Sequence, residues 1–355
     1  MDRKKLEEIE VLNYSELPLF SRLAFNEENY NSAPDLNINN INVRNKVAYE
    51  ILSGENHIRK LNDILDTVNP DDLLLAEVDR YGLPHRTVIN KNTGLVRTNP
   101  YFSEHWLSIF YSKYYRDLYT NFQEHPAITV LLEQATRGSK YYNYISSYLS
   151  ENDKILEIGC GMGGVLMPFK ISGHDIKGID LGKKFIDLGN QFNLNLELLT
   201  IENLLSRSEK YDLIILSHLI EHIPELELFL KKVIQLLNDN GKIFIAVPGL
   251  KMINKTYHGN LHIYLQNAHC WSFTQVTLSA FLNRLGFKIL LSNEEVLCLA
   301  QMTDSLVEAD YDLKTEAQSI LNYLTLMESN FYKKNKRSFL KSLYKMIKNK
   351  LKILS

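Results

Sequence analysis

The residues between Lys154 and Gly164 could bind a nucleotide-like cofactor. They read K-I-L-E-I-G-C-G-M-G-G, a short apolar run with an acid near its end, followed by glycines at alternate positions. Glycine has no Cβ, so the backbone can turn sharply there and come close to a ligand. The amides that open a following helix then point at that ligand. The residues of the predicted cofactor turn are Glu157, Gly159, Cys160, Gly161 and Gly163.

Two kinds of cofactor suit this turn. Its glycines also satisfy G-x-G-x-x-G, the fingerprint of dinucleotide binding. Glu157 argues against a nicotinamide cofactor, because a carboxylate is unfavourable beside a pyrophosphate and no Lys or Arg lies between it and Met167. The same carboxylate suits S-adenosylmethionine, which carries an ammonium and a sulfonium. Asp180 follows Gly159 by 21 residues, the spacing at which an acid meets ribose hydroxyls, but both cofactors contain a ribose.

A second group of residues could do acid–base chemistry. The run from Ser217 to His222 reads S-H-L-I-E-H and follows an apolar stretch of the buried parallel-strand type. H-x-x-E-H is also a zinc signature of one metalloprotease class, which needs both histidines on one helix face. Pro224 follows closely, so the segment reads as a strand end and a loop, and we predict no metal here. His218, His222 and His269 could each be a general base near the transferable group, or a packing group.

The elements that must position these residues alternate along the chain. The pattern predicts strands near 154–158, 176–179, 196–200, 211–216 and 241–247, helices near 163–171, 182–191, 225–238 and 273–285, and two closing strands in 286–300. Such alternation predicts a doubly wound α/β sheet with ligands at the carboxyl ends of its strands. Upstream, the sequence predicts a loop over 26–45, a helix in 46–68, a small hairpin in 79–100, an aromatic-rich helix over 103–119 and helical structure in 126–150.

Composition restricts the function classes. The chain has 355 residues, 45% of them hydrophobic and 23% charged, which is typical of a soluble globular protein. The three cysteines are scattered, which favours a reducing compartment, and no apolar stretch predicts a signal peptide or a membrane span. Residues 331–355 hold nine of the 40 basic residues and no acid, so the remainder carries 31 basic against 42 acidic residues, about −11. A body this acidic argues against nucleic-acid binding.

Several segments over roughly residues 130–300 resemble class I S-adenosylmethionine-dependent methyltransferases. The matching segments are Glu157-Ile-Gly-Cys-Gly-Met-Gly163, Gly178-Ile-Asp180, Tyr211 to Ile223, Ile245-Ala-Val-Pro248, and His269-Cys-Trp-Ser-Phe-Thr274 with Leu278 and Gly286-Phe287. The resemblance implies a Rossmann-like α/β fold, methyltransferase activity and S-adenosylmethionine as cofactor. The cofactor contacts that it implies are Glu157, Gly159, Cys160, Gly161, Gly163, Asp180, Leu181, Ile201, Glu202, Ser217 and His218.

The N-terminal part resembles a narrower group, the methyltransferases of bacterial surface-polysaccharide and modified-sugar pathways. The matching segments are Val78 to Pro84, Gly94 to Pro100 and Phe110 to Tyr119. Many relatives carry a C-x-x-C pair just before the Gly-Leu-Val and another pair upstream, as a structural zinc site. Here Asn90 and Thr93 stand at the corresponding positions and no cysteine precedes Cys160, so no zinc site is expected. Zinc sites often supply folding energy, which leaves open how this element folds.

The sequence predicts three parts. These are an accessory or acceptor-binding domain (1–125), a methyltransferase domain (126–300) and a helical extension (301–355). At the end of the extension, apolar residues recur at helical spacing among lysines, which predicts a basic amphipathic helix over 332–355. Such a helix could bind an anionic membrane at the inner face of the cell, pack on the acidic body, or join a second subunit.

The expected reaction is methyl transfer in the cytoplasm to a hydroxyl of a sugar, sugar nucleotide or surface-glycan precursor, with oxygen preferred over carbon or nitrogen. Tyr111, Tyr114, Tyr115 and Tyr119 are either core residues or an acceptor-binding lid. Three alternatives remain: a methyltransferase acting on a non-sugar small molecule, a nicotinamide-binding oxidoreductase, and a non-catalytic cofactor-binding module.

Overall fold

The computed structural model describes residues 18–24, 38–53, 58–68, 70–119, 127–303 and 309–353, without the side chains of residues 22, 38, 39, 52, 53, 116, 119, 332 and 335–353. The apolar stripe and lysines predicted for the tail therefore lie outside the described side chains, although the backbone there is helical. Among the described residues, no helix has the length and apolar content needed to cross a membrane.

The N-terminal part is built around a small antiparallel sheet. Its elements are a 3₁₀ turn (Ser21–Leu23), α1 (Ile38–Ser53), β1 (Ile58–Arg59), β2 (Asp72–Val78), β3 (Pro84–Asn90), β4 (Val96–Thr98), β5 (Tyr101–Phe102), α2 (Glu104–Ile109), a π-helical turn (Phe110–Tyr114) and α3 (Tyr115–Tyr119). The aromatic-rich helix predicted for 103–119 is confirmed. The predicted hairpin is part of a larger sheet in which β2, β3 and β4 pair in order.

Two predictions for this part are wrong. The segment predicted as a loop to Asn45 is helical from Ile38, and the helix predicted to Val68 ends at Ser53. The buried residues recur at the spacing of an α-helix, but the asparagines in this segment made that pattern hard to recognise in the sequence. These buried residues are Asn40, Arg44, Val47, Ala48 and Ile51.

The second part is a seven-stranded sheet with helices between its strands. Its elements are α4 (Ala127–Ile145), β6 (Lys154–Ile158), α5 (Met167–Ile171), β7 (Asp175–Asp180), α6 (Lys183–Asn190), β8 (Leu196–Leu198), α7 (Ile201–Leu205), β9 (Tyr211–Ser217), α8 (Leu226–Ile234), β10 (Leu237–Ala246), α9 (Ile253–Thr256), α10 (Leu261–Tyr264), β11 (Trp271–Ser272), α11 (Gln275–Arg284), β12 (Phe287–Ser292), β13 (Leu297–Met302) and α12 (Leu313–Ile353). β11 belongs to the N-terminal sheet.

The strand order confirms the predicted doubly wound, Rossmann-like α/β fold. The order across the sheet is β12-β13-β10-β9-β6-β7-β8. The strands from β10 to β8 run parallel, and β13 is antiparallel to both of its neighbours. The order reverses between β6 and β9, so the carboxyl ends of these two strands form the crevice where such sheets bind ligands. The helix predicted to 238 ends at Ile234, because Leu237 already pairs with Tyr211 in the sheet.

The two parts share strands and core. β11, which lies within the predicted methyltransferase domain (126–300), pairs with β4 and so completes the N-terminal sheet. Trp106 and Phe110 of the aromatic helix belong to the same buried cluster as Leu156 and Leu216 of the large sheet. The long helix α12 contributes Ile320 and Leu324 to a second cluster with β2 and β3. The division into three domains remains a prediction.

A buried carboxylate binds the two residues that stand at the positions of one zinc-binding cysteine pair. Asp63 is fully buried and accepts hydrogen bonds from Asn90 Nδ2 (2.9 Å) and Thr93 Oγ1 (3.1 Å). It also accepts from the backbone amides of Leu65 and Asp66. We call Asp63, Asn90 and Thr93 the polar clip, because they join the 61–66 segment to the β3–β4 turn.

Buried Arg97 extends the polar clip. Its Nη1 lies 3.6 Å from Asp63 Oδ2, and its guanidinium donates two hydrogen bonds to Asp72, at 2.9 and 2.6 Å. Its Nε donates to the carbonyl of Leu61. A planar guanidinium in this bidentate arrangement is among the stronger polar contacts of a protein interior. The polar clip and Arg97 thus tie the 61–66 segment to the β3–β4 turn, in which Asn90 and Thr93 stand at the positions of one cysteine pair of the zinc-binding relatives.

Asp63→Ala should lower the free energy of unfolding by about 3–5 kcal/mol, because it leaves the donors of Asn90, Thr93 and two backbone amides without their acceptor and removes a negative charge beside the buried Arg97 guanidinium. Thr93→Val should cost about 1–3 kcal/mol, since it removes one donor while keeping the shape. Urea denaturation measures both. The matched control is Asp71→Ala, which breaks only an exposed ion pair with Lys91 (2.9 Å) and should cost at most about 1 kcal/mol. Equal losses for Asp63→Ala and Asp71→Ala would contradict a structural role for the polar clip.

Candidate active site

The glycine turn after β6 has the backbone that the sequence predicts. Gly159, Gly161 and Gly163 have φ of 75°, 55° and 73°, a region that side chains disfavour. A Cβ at Gly163 would lie 2.8 Å from Leu196 Cδ2, and one at Gly161 would lie 2.9 Å from Gln134 Nε2. The amides of Gly159 and Cys160 both donate to the carbonyl of Ile179. The turn is therefore held tightly between β7 and α4, and only glycine fits at these positions.

Asp180 organises this turn from the end of β7. Its Oδ2 accepts a hydrogen bond from the Gly161 amide (2.9 Å), and its Oδ1 accepts from the Gly182 amide (2.6 Å). Each carboxylate oxygen has a further lone pair, so both can still accept from ribose hydroxyls. The residue expected to bind ribose thus also fixes the shape of the cofactor turn.

Glu157 is a buried carboxyl group without a full set of partners. Among the residues that the structure describes, none donates a hydrogen bond to its Oε2. Burial raises its pKa well above the ordinary value, and the positive charge of Arg137 partly opposes this shift. A cationic ligand beside it would favour the charged form. The orphaned oxygen and the glycine cradle fit S-adenosylmethionine, whose positive groups a carboxylate stabilises, better than a pyrophosphate.

The other predicted cofactor contacts lie on neighbouring segments. The amide of Leu199 donates to the carbonyl of Asp180, which places the start of α7 beside β7. Leu181 is 73% exposed, while Ile201 is buried. Glu202 is exposed and pairs with Lys232 at 2.7 Å.

Two of the predicted contacts are buried polar residues. Burial raises the pKa of the Cys160 thiol well above its ordinary value, so the residue is neutral. The Ser217 hydroxyl donates to Tyr141 Oη of α4 (3.4 Å). The cofactor roles of all these residues remain predictions.

The H-x-x-E-H run forms a strand end and a loop, as the sequence indicates. His218 follows β9 directly, has φ of 51°, and its amide donates to the carbonyl of Ala246 at the end of β10. Ile220 to His222 make a single 3₁₀ turn. A Cβ at Gly159 would lie 3.1 Å from Leu219 Cδ1, so the glycine turn and this loop are in contact. The two groups of residues predicted to do chemistry therefore meet at one site.

His222 and His269 come together above this loop. Their ring centroids are 4.7 Å apart in an edge-to-face arrangement. His222 Nδ1 is 3.0 Å from the carbonyl oxygen of Ala268, and a carbonyl only accepts, so Nδ1 carries the proton. Tyr111 Oη lies 3.1 Å from the same nitrogen and must accept from it. The Nε2 lone pair of His222 is consequently available to a ligand.

Burial sets the protonation states of these groups. It lowers the pKa of His222 and lowers that of His269 well below the ordinary value, so both imidazoles are neutral near pH 7. It raises the pKa of Tyr111 well above the ordinary value and that of Tyr115 to about 12. The histidines can therefore accept a proton, and the tyrosines act as neutral hydroxyls.

The segment Gln266–Ser272 holds His269 in place. Toward the N-terminal sheet, its Ala268 and His269 carbonyls accept hydrogen bonds from Tyr101 Oη and Thr98 Oγ1, both at 2.9 Å. Toward the large sheet, the Cys270 amide donates to the carbonyl of Glu221 (2.8 Å). We call this segment the bridging segment. The N-terminal part therefore positions a candidate catalytic residue.

Three residues near the site carried no predicted role. Gln134 Oε1 accepts from the Gly164 amide at 3.2 Å and so supports the cofactor turn from α4. Glu221 lies between the two histidines of the loop, where the sequence suggested a role only through the protease signature. Arg80 follows β2, and its charge acts on Tyr115, Tyr257 and His269. The sequence could have indicated a role for Arg80, because Arg80 lies in the segment from Val78 to Pro84 that resembles sugar methyltransferases.

Comparison with known proteins identifies the central domain. Residues 132–292 match a family described as a methyltransferase domain. Two curated relatives are ubiquinone biosynthesis O-methyltransferases, from Bartonella tribocorum (29% identity over 30% of this chain) and Pelagibacter ubique (32% identity over 30% of this chain). In each case the match covers 44% of the relative, so the chain spans less than half the length of the curated relatives it matches.

Solved structures match as well. A methyltransferase from Methanosarcina mazei aligns at 18% identity over 45% of this chain and 97% of that chain, with a TM-score of 0.37, too low to carry an argument. Residues 132–292 thus match a methyltransferase domain in sequence, and the order of their strands is that of a Rossmann-like fold. The curated relatives are named for ubiquinone biosynthesis, whereas the sequence predicted sugar pathways.

S-Adenosylmethionine should bind with a dissociation constant on the order of micromolar, about −8 kcal/mol. Asp180→Ala should weaken binding by about 1–3 kcal/mol, because it removes charge-assisted hydrogen bonds to the ligand and to the Gly161 amide. Titration calorimetry measures both values. Asp187→Ala is the control, since Asp187 is exposed on α6 and pairs only with Lys183 in the described contacts. Tighter binding of NAD than of S-adenosylmethionine would sink this assignment.

Proposed function

We propose that this protein transfers a methyl group from S-adenosylmethionine to a hydroxyl oxygen of a small acceptor. The observation that carries the proposal is the contact between Gly159 of the cofactor turn and Leu219 of the histidine loop. This contact supports a position of the neutral imidazoles of His222 and His269 next to the cofactor crevice. When bound, S-adenosylmethionine supplies an electrophilic methyl group on its sulfonium.

Named residues would hold the cofactor. Asp180 would accept the ribose hydroxyls, and Glu157 would face the positive end of the molecule. Exposed Leu181 and buried Ile201 flank the end of β7 and would cover the adenine. These residues fix the position of the methyl group, and correct positioning supplies much of the rate of a transfer of this kind.

An imidazole would take the proton of the acceptor hydroxyl. His222 qualifies because its protonated Nδ1 is bound to the Ala268 carbonyl and its Nε2 is left basic. His269 qualifies because it is neutral and its ring packs against His222. His218 is the most exposed of the three, with 42% of its side chain accessible, and stands where the cofactor meets the loop.

The acceptor would lie against the tyrosine-rich side of the site. Tyr111 and Tyr115 pack edge-on to His222, at centroid distances of 6.4 and 6.3 Å. Aromatic faces suit sugar rings, and the cation of Arg80 favours an acceptor that carries phosphate, such as a sugar nucleotide. The resemblance of the N-terminal part to sugar methyltransferases supports this class of acceptor.

A second acceptor class has support from the relatives. Both relatives are named O-methyltransferases of ubiquinone biosynthesis. These names favour oxygen as the accepting atom and a phenolic ring as the acceptor. The tyrosines would stack on such a ring as well as on a sugar. The two classes differ in what Arg80 contributes, since a neutral phenol needs no cation.

The full chain should methylate one of these two acceptor classes when given S-adenosylmethionine, with sugar nucleotides expected and dihydroxybenzenes as the second panel. Formation of S-adenosylhomocysteine and product mass are measured together. His269→Gln should lower kcat by about 10²–10⁴-fold, the usual contribution of a positioned base, with cofactor affinity unchanged.

Two variants sharpen the test. Arg80→Gln should raise KM for a sugar nucleotide and leave KM for a phenol unchanged. Exposed His105→Gln, outside the site, is the control for loss of a histidine. Tight cofactor binding with no turnover on either panel would refute methyl transfer to these acceptors and favour a non-catalytic module.

A further inference from the structure

We propose that Glu221, His222 and His269 form a binding site for one divalent transition-metal ion beside the cofactor crevice. One ligand atom from each of these side chains lies within 4.8 Å of the others. Zinc binds nitrogen and oxygen at about 2.0–2.2 Å. Small changes of side-chain rotamer would bring the three ligand atoms to the mutual distances that such bonds require. Two imidazoles and one carboxylate are a ligand set that Zn²⁺ and Mn²⁺ both accept.

The buried carboxylate of Glu221 is the second observation that points to a cation. Within the described part of the chain, neither of its oxygens has a hydrogen-bond partner, although the residue is buried. His218 Nδ1 and His222 Nε2 lie 3.5 and 3.9 Å from its Oε1, close enough to share an ion but too far for hydrogen bonds. An unpaired carboxylate in such a place is costly unless a positive charge offsets it.

The surroundings orient the imidazoles as metal ligands. His222 donates its Nδ1 proton to the Ala268 carbonyl, the arrangement that leaves Nε2 for a metal. The bridging segment fixes the main chain of both remaining ligands, because the Cys270 amide binds the Glu221 carbonyl and Thr98 Oγ1 binds the His269 carbonyl. His218, which is partly exposed, is placed to become a fourth ligand or to leave that position open.

This inference revises the expectation that no metal binds. The sequence argument addressed cysteine ligands and a helical H-x-x-E-H, and neither forms here. In the proposed site, His269 comes from a loop that is distant in the sequence, and Glu221 is a metal ligand. With His222 and His269 bound to it, the ion would act in place of these imidazoles: it would hold an acceptor hydroxyl and lower its pKa. That catalytic role rests on the proposed methyl transfer, whereas the metal site itself does not.

The test measures metal binding without cofactor or acceptor. The full chain is stripped with a chelator, dialysed and titrated calorimetrically with Zn²⁺ and, separately, Mn²⁺. We expect about one Zn²⁺ per chain. Glu221→Gln and His269→Gln should each weaken Zn²⁺ binding more than about 100-fold, beyond the loss expected for an outer-sphere partner. His105→Gln should bind as the unaltered chain does, because that histidine lies outside the cluster.

A spectroscopic readout separates this site from surface binding. Co²⁺ should give visible absorption of a low-coordinate nitrogen and oxygen site, and the two ligand variants should lose it. Thermal unfolding of the metal-free variants checks that they fold. If Glu221→Gln does not fold, His269→Gln alone tests the loss of metal binding. No binding to the unaltered chain, or equal binding by the ligand variants, would overturn the proposal. Metal binding without methyl transfer would count against the proposed reaction and leave the metal site supported.

Discussion

The arrangement of the whole site depends on one seven-residue segment that is hydrogen-bonded on both sides. The bridging segment receives donors from β4 and β5 on one face and donates to the loop after β9 on the other. Without these bonds His269 would have no fixed relation to His222. The Asp79 carboxylate, which accepts from the Asn267 amide, extends the same attachment to the β2–β3 turn. The N-terminal sheet is therefore part of the machinery that sets the distance between two imidazoles.

Much of the fold and half of the site could be predicted from the sequence. The glycine turn is encoded locally, because strand, turn and helix signals follow one another within about a dozen residues, and the alternating strands are equally local. The start of α1 was missed because asparagines concealed its buried face. β11 was missed because two residues carry no periodicity, and its pairing with β4 joins segments far apart in the chain.

The meeting of Glu221, His222 and His269 could not be derived from the sequence. The first two are adjacent to a strand whose position is predictable, but the third lies in a loop that enters from the other side. Only the backbone hydrogen bonds of that loop decide which residue points at the site, and such bonds leave no trace in residue types. For the same reason the roles of Asn90 and Thr93 were invisible, since their common partner, Asp63, lies in a different segment.

The polar clip also determines how the protein responds to its chemical surroundings. A fold held by a zinc–thiolate centre collapses when the ion is scavenged or its sulfurs are oxidised. Here the 61–66 segment and the β3–β4 turn are joined by carboxylate, amide, hydroxyl and guanidinium groups, none of which is redox-active. The architecture of the N-terminal sheet is thereby uncoupled from zinc supply and from oxidative stress. An organism that starves for zinc could still assemble this part of the enzyme, and any metal requirement would fall on the reaction alone.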